Sequence, residues 1–495
     1  MNGRTHTRRA VLSGVAGTVA TGVVANDASA SRTPIAGEEW PQYGYDAANT
    51  GYAPDGTVPG RGVTEAWSFQ VQERTLISPV VAAGTVYVTT RSGTLYAVGT
   101  TSGTEQWSVD HTGDNGWTSP PAVVGGTVYF GTVNDDLYAL DAASGDVQWR
   151  DETDDSLNWV LSPTVRDGSV YAGSSNARAS AVDAETGAVQ WEDELPDPAT
   201  TPAVADGTVY YGSINREGGR VTALSAASGT RSWTNPLSES ANLIAAPVVG
   251  DGRVYVASDD SNLYALDADE GDVQWTYEAG KDAKRAYVPP TVADGTVYVT
   301  HDQAAVSAVD ASSGDAEWTA ELPEWSHSKP VVVGDTVLVG TDGGTLAALA
   351  AGSGDQRWTH EFDSDSPVST VAVVNETVYA SVGDTMYALV AASPPSDTES
   401  TAATATRRRT TAGSETDGGQ TTQRPVSPSA TRTANAPGEG ERSPGSERAS
   451  DTVVSETTAA DGEGFTAPVA LLASGVSVGI SRWVRDSTGT SDQSD

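Results

Sequence analysis

The stretch SPPAVVGGTVYFGTVNDDLYALDAASGDVQW, residues 119–149, comes back as SPTVRDGSVYAGSSNARASAVDAETGAVQW, residues 162–191. Its closing tryptophan makes the period countable: Trp67, Trp107, Trp149, Trp191, Trp233, Trp275, Trp318 and Trp358, at intervals of 40 to 43 residues. A period of that size marks a propeller or a solenoid array. Within one unit, short β-branched and aromatic runs (122–124, 127–130, 137–140, 147–149) alternate with turn residues, which reads as four strands. No run is long enough, or periodic enough at 3.6, to predict a helix.

The turns predict how those strands connect. Gly125-Gly126, Asp167-Gly168, Asp206-Gly207, Asp251-Gly252 and Asp294-Gly295 suit a two-residue hairpin that needs positive φ. Strands three and four are joined by Asp141-Ala-Ala-Ser-Gly145 and its relatives at 183–187 and 267–271. There the aspartate can accept from turn amides and the late glycine supplies a left-handed position. Each unit is therefore a four-stranded antiparallel sheet, and such sheets arranged radially form an all-β propeller. Seven units are complete. The last, residues 366–390, lacks a fourth strand, while residues 62–69 around Trp67 form a fourth strand without partners. Pairing the two gives an eight-bladed β-propeller over residues 62–390 and removes an open edge that would invite aggregation.

The pattern LYALDAxSGxxxW resembles the pyrroloquinoline-quinone (PQQ) repeat. That family includes quinoprotein alcohol dehydrogenases and the outer-membrane assembly lipoprotein BamB. The leader, residues 31–61, is similar to the segment before such propellers in Trp40-Pro-Gln-Tyr-Gly-Tyr-Asp46 and Thr50-Gly-Tyr52. The likeness covers roughly residues 40–390 and implies a fold more than a function, since one fold hosts many.

The chain ends read as an address. Thr7-Arg8-Arg9, an apolar stretch to Ala25 and Ala28-Ser-Ala30 predict a twin-arginine signal peptide over residues 1–30, with an uncleaved anchor as the plainer alternative. With no cysteine, an N-terminal lipid anchor of the BamB type is excluded. Residues 391–461 are rich in Ser, Thr, Pro and Gly and too poor in apolar residues to fold, which predicts a disordered stalk. Residues 462–495 hold an apolar stretch to Ile480 followed by Arg482-Trp-Val-Arg485. That order is similar to the PGF-CTERM signal processed by archaeosortases, where a lipid anchor replaces the tail. It departs from that signal in having Glu463 where proline is expected and in its long polar end. The expected location is extracellular, anchored at the cell surface, with the membrane touched only through this C-terminal segment. Asn375-Glu-Thr377 is the one N-glycosylation sequon and falls on a hairpin turn.

Net charge is −38, and residues 62–390 carry 47 acidic against 14 basic residues. Lysine is confined to Lys281, Lys284 and Lys329. Acidic charge spread over every blade, almost without lysine, resembles the surfaces of haloarchaeal proteins, where molar salt screens self-repulsion. It excludes nucleic acid as a partner, because phosphate contacts need a basic surface.

In such blades the connections between strands two and three, and from strand four to the next blade, share one face. In the PQQ-repeat family that face carries the site. Residues that depart from the repeat there are the ligand-binding candidates: Trp117, Asn134, Asp135, Trp159, Lys281, Lys284, Arg285, Tyr287, His301, Trp325 and His327. The plainer reading is rim packing for the tryptophans and solvated turns for the polar residues. The cationic trio Lys281, Lys284 and Arg285 suits an anionic group, or else balances neighbouring acids.

Two functions follow. One is a non-catalytic surface scaffold, a monomer without cofactor, binding a surface protein or polymer of unknown identity. The alternative is a PQQ- and calcium-dependent dehydrogenase of alcohols or sugars, with a basic residue for the quinone carboxylates, oxygen ligands for calcium and a carboxylate base. The missing cysteines rule out the vicinal disulfide usual in quinoprotein alcohol dehydrogenases, and the sequence has no haem-attachment motif. Five histidines without cysteine or H-E-x-x-H give no zinc site and no catalytic residue. Short loops throughout also favour the scaffold.

Overall fold

The computed structural model describes residues 39–71, 77–110, 119–132, 136–151, 160–213, 218–238, 245–278, 288–301 and 304–393. The chain divides into two units; the propeller lies in the first, and of the second only Ser393 is described. The expected signal peptide (1–30), the expected C-terminal segment (462–495) and all but residues 391–393 of the expected stalk fall outside the described residues, and Ala391 belongs to the last strand.

Eight four-stranded antiparallel blades make up the ring, and the short strand Tyr52–Ala53 adds parallel to the inner edge of one of them. Blade 2 shows the pattern, with strands Ala122–Val124, Thr127–Gly131, Leu137–Asp141 and Val147–Asp151 from the axis outwards. Blade 8 is closed as expected: Val63–Gln70 pairs antiparallel with Thr385–Ala391, setting Trp67 opposite Ala388. The hairpin pairs carry the positive φ that their residues favour, for example Asp167 at 50° and Gly168 at 78°. In the wider turns the aspartate accepts from two amides, as Asp141 does from Ala143 and Ser144 at 3.0 and 2.9 Å.

The recurring tryptophan is the seam between blades. Trp107 Nε1 donates to the Ala142 carbonyl of the next blade at 3.1 Å, and Trp149 Nε1 to that of Ala184 at 3.0 Å. The other six do likewise; Trp358, at the end of the ring, meets the leader's Pro59 carbonyl at 2.7 Å. A tyrosine of the same blade leans on each of seven of these rings, as Tyr87 does on Trp107 at 5.9 Å, and Tyr87 donates to the same Ala142 carbonyl. Every outer strand also carries a bulge just before its tryptophan, between Val147 and Trp149 in blade 2. The bulge lets the residue it displaces reach back, as Gln148 does to Thr127 Oγ1 at 3.1 Å. The alternation of residues alone does not announce this bulge, because it adds a residue without changing the apolar pattern.

The glycine of each wider turn lies over the preceding blade's tryptophan. A β-carbon on Gly145, at φ +77°, would lie 2.8 Å from Trp107 Cε3, whereas one on Gly168, at φ +78°, would meet nothing within 4 Å. Gly168→Ala is therefore expected to cost only the left-handed backbone penalty, about 1–2 kcal/mol. Gly145→Ala adds a displaced ring, for a total of about 3 kcal/mol. Urea midpoints of the two variants check the difference; equal midpoints would mean the ring contact contributes nothing.

Candidate functional site

The leader occupies the channel that the inner strands surround. Trp40 exchanges both backbone hydrogen bonds with Val81 of blade 1. The carbonyls of Pro41, Ala47, Ala48, Thr50 and Gly51 then accept from the amides of Val123, Val204, Val249, Val292 and Val332 at 2.6–3.0 Å. Gln42 Oε1 accepts from Val165 at 3.1 Å. The donor is each time the middle residue of an inner strand, in blades 1 to 7 consecutively. Blade 8 is met through Thr370, which bonds the Tyr43 hydroxyl. The segment runs antiparallel to the inner strand of blade 1 at Trp40 and parallel to that of blade 7 at Tyr52–Ala53. It therefore enters and leaves on the face that carries the hairpin turns.

A buried polar cluster holds the leader in place. Lys329 stands two residues before the inner strand of blade 7, Val331–Val333, where the other blades have serine, threonine, alanine or proline; it is 1% exposed, and its Nζ donates to the Asn49 carbonyl at 2.5 Å. Its ammonium also lies 5.9 Å from the centre of the Tyr43 ring. Asn49, left-handed at φ 57°, donates from Nδ2 to the carbonyls of Pro202 and Pro247 in blades 4 and 5. Asp46 accepts from Thr50 Oγ1 at 2.6 Å and Thr50 N at 3.0 Å. Burial pushes the Lys329 amine down to about 7, with Asp46 pulling it the other way. Burial also raises Asp46, although part of its surface remains accessible, and raises Tyr43.

Of the candidates on the opposite, loop-bearing face, Trp117, Asn134, Asp135, Trp159, Lys281, Lys284, Arg285 and Tyr287 lie outside the described residues. His301 is buried in blade 6, its Nε2 3.3 Å from Ser307 Oγ, which also meets Tyr277 and Thr319. Trp325 and His327 come together on blade 7. Trp325 is 61% exposed, the only aromatic side chain among the exposed large hydrophobics of the described residues. Its carbonyl accepts from Asp342 N at 2.8 Å, and the buried Ser326 beside it donates to the Gly340 carbonyl at 2.7 Å. Asp342 takes His327 Nδ1 at 2.6 Å and the His327 amide at 3.2 Å. The ring is thus presented on a pinned loop beside a fixed histidine–aspartate pair. Asn375 sits exposed in its hairpin, at φ 51° with Glu376 at 59°.

Sequence reasoning overlooked Asp342, because an aspartate in a TDGG turn looks like any other. It singled out Lys329 by its rarity but had no means of placing its amine on the leader.

The described residues thus form an eight-bladed propeller whose axis is occupied by its own leader. The family model for the outer membrane protein assembly factor BamB matches residues 61–202, 199–289 and 281–460, so the chain belongs to that family. BamB from Moraxella catarrhalis is 19% identical over 66% of this chain and 98% of its own, at a TM-score of 0.51. Quinohemoprotein alcohol dehydrogenase from Comamonas testosteroni is 19% identical over 74% of this chain and 82% of its own, at 0.60. A europium-containing methanol dehydrogenase is 16% identical over 70% and 89%, at 0.59. These structures share the fold. No curated protein matches the chain by sequence.

Proposed function

We propose that this protein is a non-catalytic, exported propeller that binds a surface protein or polymer through its loop-bearing face. The observation that carries this reading is the leader in the channel. The middle amides of seven inner strands and the channel's own lysine are taken up by residues 40–51. The described channel residues do not fit a quinone with calcium. Lys329 is committed to a main-chain carbonyl, and the carboxylate of the channel cluster, Asp46, is committed to Thr50 Oγ1 and Thr50 N. Both ends of the propeller domain favour the same orientation. The leader enters on the turn face, and the last strand, Thr385–Ala391, runs towards that face too. A tether at the C-terminus then leaves the face with Trp325 and His327 turned outward. A twin-arginine signal, a stalk and a surface anchor complete this reading, with the acidic surface suited to molar salt and the propeller acting as a monomer.

Titration of the full chain with PQQ and calcium in molar potassium chloride, following quinone absorbance and dye reduction with alcohols and aldoses, tests it. No binding and no turnover are expected; stoichiometric binding with turnover would replace this reading by the dehydrogenase. In pull-downs from cell envelopes, Trp325→Ala is expected to reduce partner capture about tenfold, the scale of losing an exposed aromatic anchor. Capture unchanged by Trp325→Ala and by His327→Ala together would move the binding surface elsewhere.

A further inference from the structure

We propose that the central channel is a peptide-binding site, and that Trp40–Ala53 is its ligand, held as a separable element rather than as part of the ring. The contacts have the character of peptide capture by β-structure, in which main-chain hydrogen bonds give affinity and pockets for selected side chains give specificity. Main-chain carbonyls of the segment accept from six blades and a glutamine side chain from a seventh. Trp40, Tyr43 and Asn49, all 3% exposed or less, are the largest side chains that it buries so deeply.

The segment also carries its own shape. Gly51 N donates to the Gly44 carbonyl at 2.8 Å, and Asp46 caps Thr50, so most of its internal order does not depend on the blades. Gly44 has no room for a β-carbon, which would lie 2.4 Å from Asn49 Cα. Because the segment enters and leaves on one face, it can seat as a loop without threading through the ring. Its only covalent link to the blades is residues 54–62, several of them exposed, leading to the outer strand Val63–Gln70. Lys329 is the specificity residue: it replaces a small side chain or proline at one blade of eight and reads a carbonyl held in place by a left-handed asparagine.

The recognised chemistry is a looped segment with paired aromatics three residues apart, then a carboxylate and an asparagine at the spacing of Asp46 and Asn49. This inference does not depend on what the loop-bearing face binds.

To test it, a protease site is inserted between Gly56 and Thr57 in the full chain, and the protein is cut in molar potassium chloride. The N-terminal fragment is expected to co-elute with the propeller at one to one. An excess of labelled synthetic peptide spanning residues 39–56 is expected to exchange into the channel, and Lys329→Met to speed that exchange at least tenfold. If the fragment elutes separately while the propeller keeps its melting profile, the proposal falls. If cutting unfolds the propeller, refolding by added peptide upholds the proposal and failure to refold overturns it.

Discussion

Trp40→Ala is expected to destabilise the propeller by about 3–5 kcal/mol, the range for truncating a fully buried tryptophan. The ring is 1% exposed and belongs to one hydrophobic cluster with residues of blades 1, 7 and 8, among them Val81, Val86, Val373 and Val374, with Tyr45 4.8 Å away. Blades 1 and 8 are also the ones that the pairing of Val63–Gln70 with Thr385–Ala391 must bring together. Losing the side chain opens a cavity at the closure of the ring, where no covalent bond joins the last strand to the first. Urea unfolding in molar potassium chloride, read by tryptophan fluorescence and by circular dichroism, measures the loss. A cost below about 1 kcal/mol would mean that the leader lines the channel without bracing the closure.

The second large effect is a pH dependence carried by Lys329. Folded, its amine is pushed down to about 7; unfolded, it returns to about 10.4. Between those values the unfolded chain binds one proton more, so stability rises with pH across the window, by up to about 1.4 kcal/mol per pH unit. Asp46, raised by burial, gives the opposite slope. That slope starts at the unfolded carboxylate value near pH ~4. The buried tyrosines, raised in their turn, begin to act only above pH ~10, where their unfolded counterparts ionise. Between pH 7.5 and 9.5 the wild-type urea midpoint is therefore expected to climb. Lys329→Met is expected to flatten that climb while losing about 1–3 kcal/mol for the unsatisfied Asn49 carbonyl. Parallel slopes in the two proteins would assign the dependence to another group.

The repeat made the propeller legible because every blade solves the same local problem with the same residues. Asp-Gly and Gly-Gly select a primed hairpin, an aspartate and a late glycine build the wider turn, and a tryptophan closes each outer strand. Even the count of eight follows, since an unpaired strand at Trp67 and a missing one after Val390 complete each other. The site was less legible. His301 and His327 read alike as histidines that depart from the repeat, yet one is buried against Ser307 and the other is fixed by Asp342 on an exposed loop.

Local pattern by itself determined the strands, their turns and their number, because hydrogen bonding and alternation act between near neighbours. It also made Lys329 conspicuous. Only the tertiary structure decided that the residues before the first blade belong at the axis. Their partners are amides of seven blades spaced over some 250 residues of chain, Val81 to Val332, and such contacts exist only once the ring has closed. The buried bond between Lys329 and Asn49 joins residues 280 positions apart for the same reason. A lysine that the sequence marks only by its rarity becomes, inside the closed ring, the group that holds the leader in its channel.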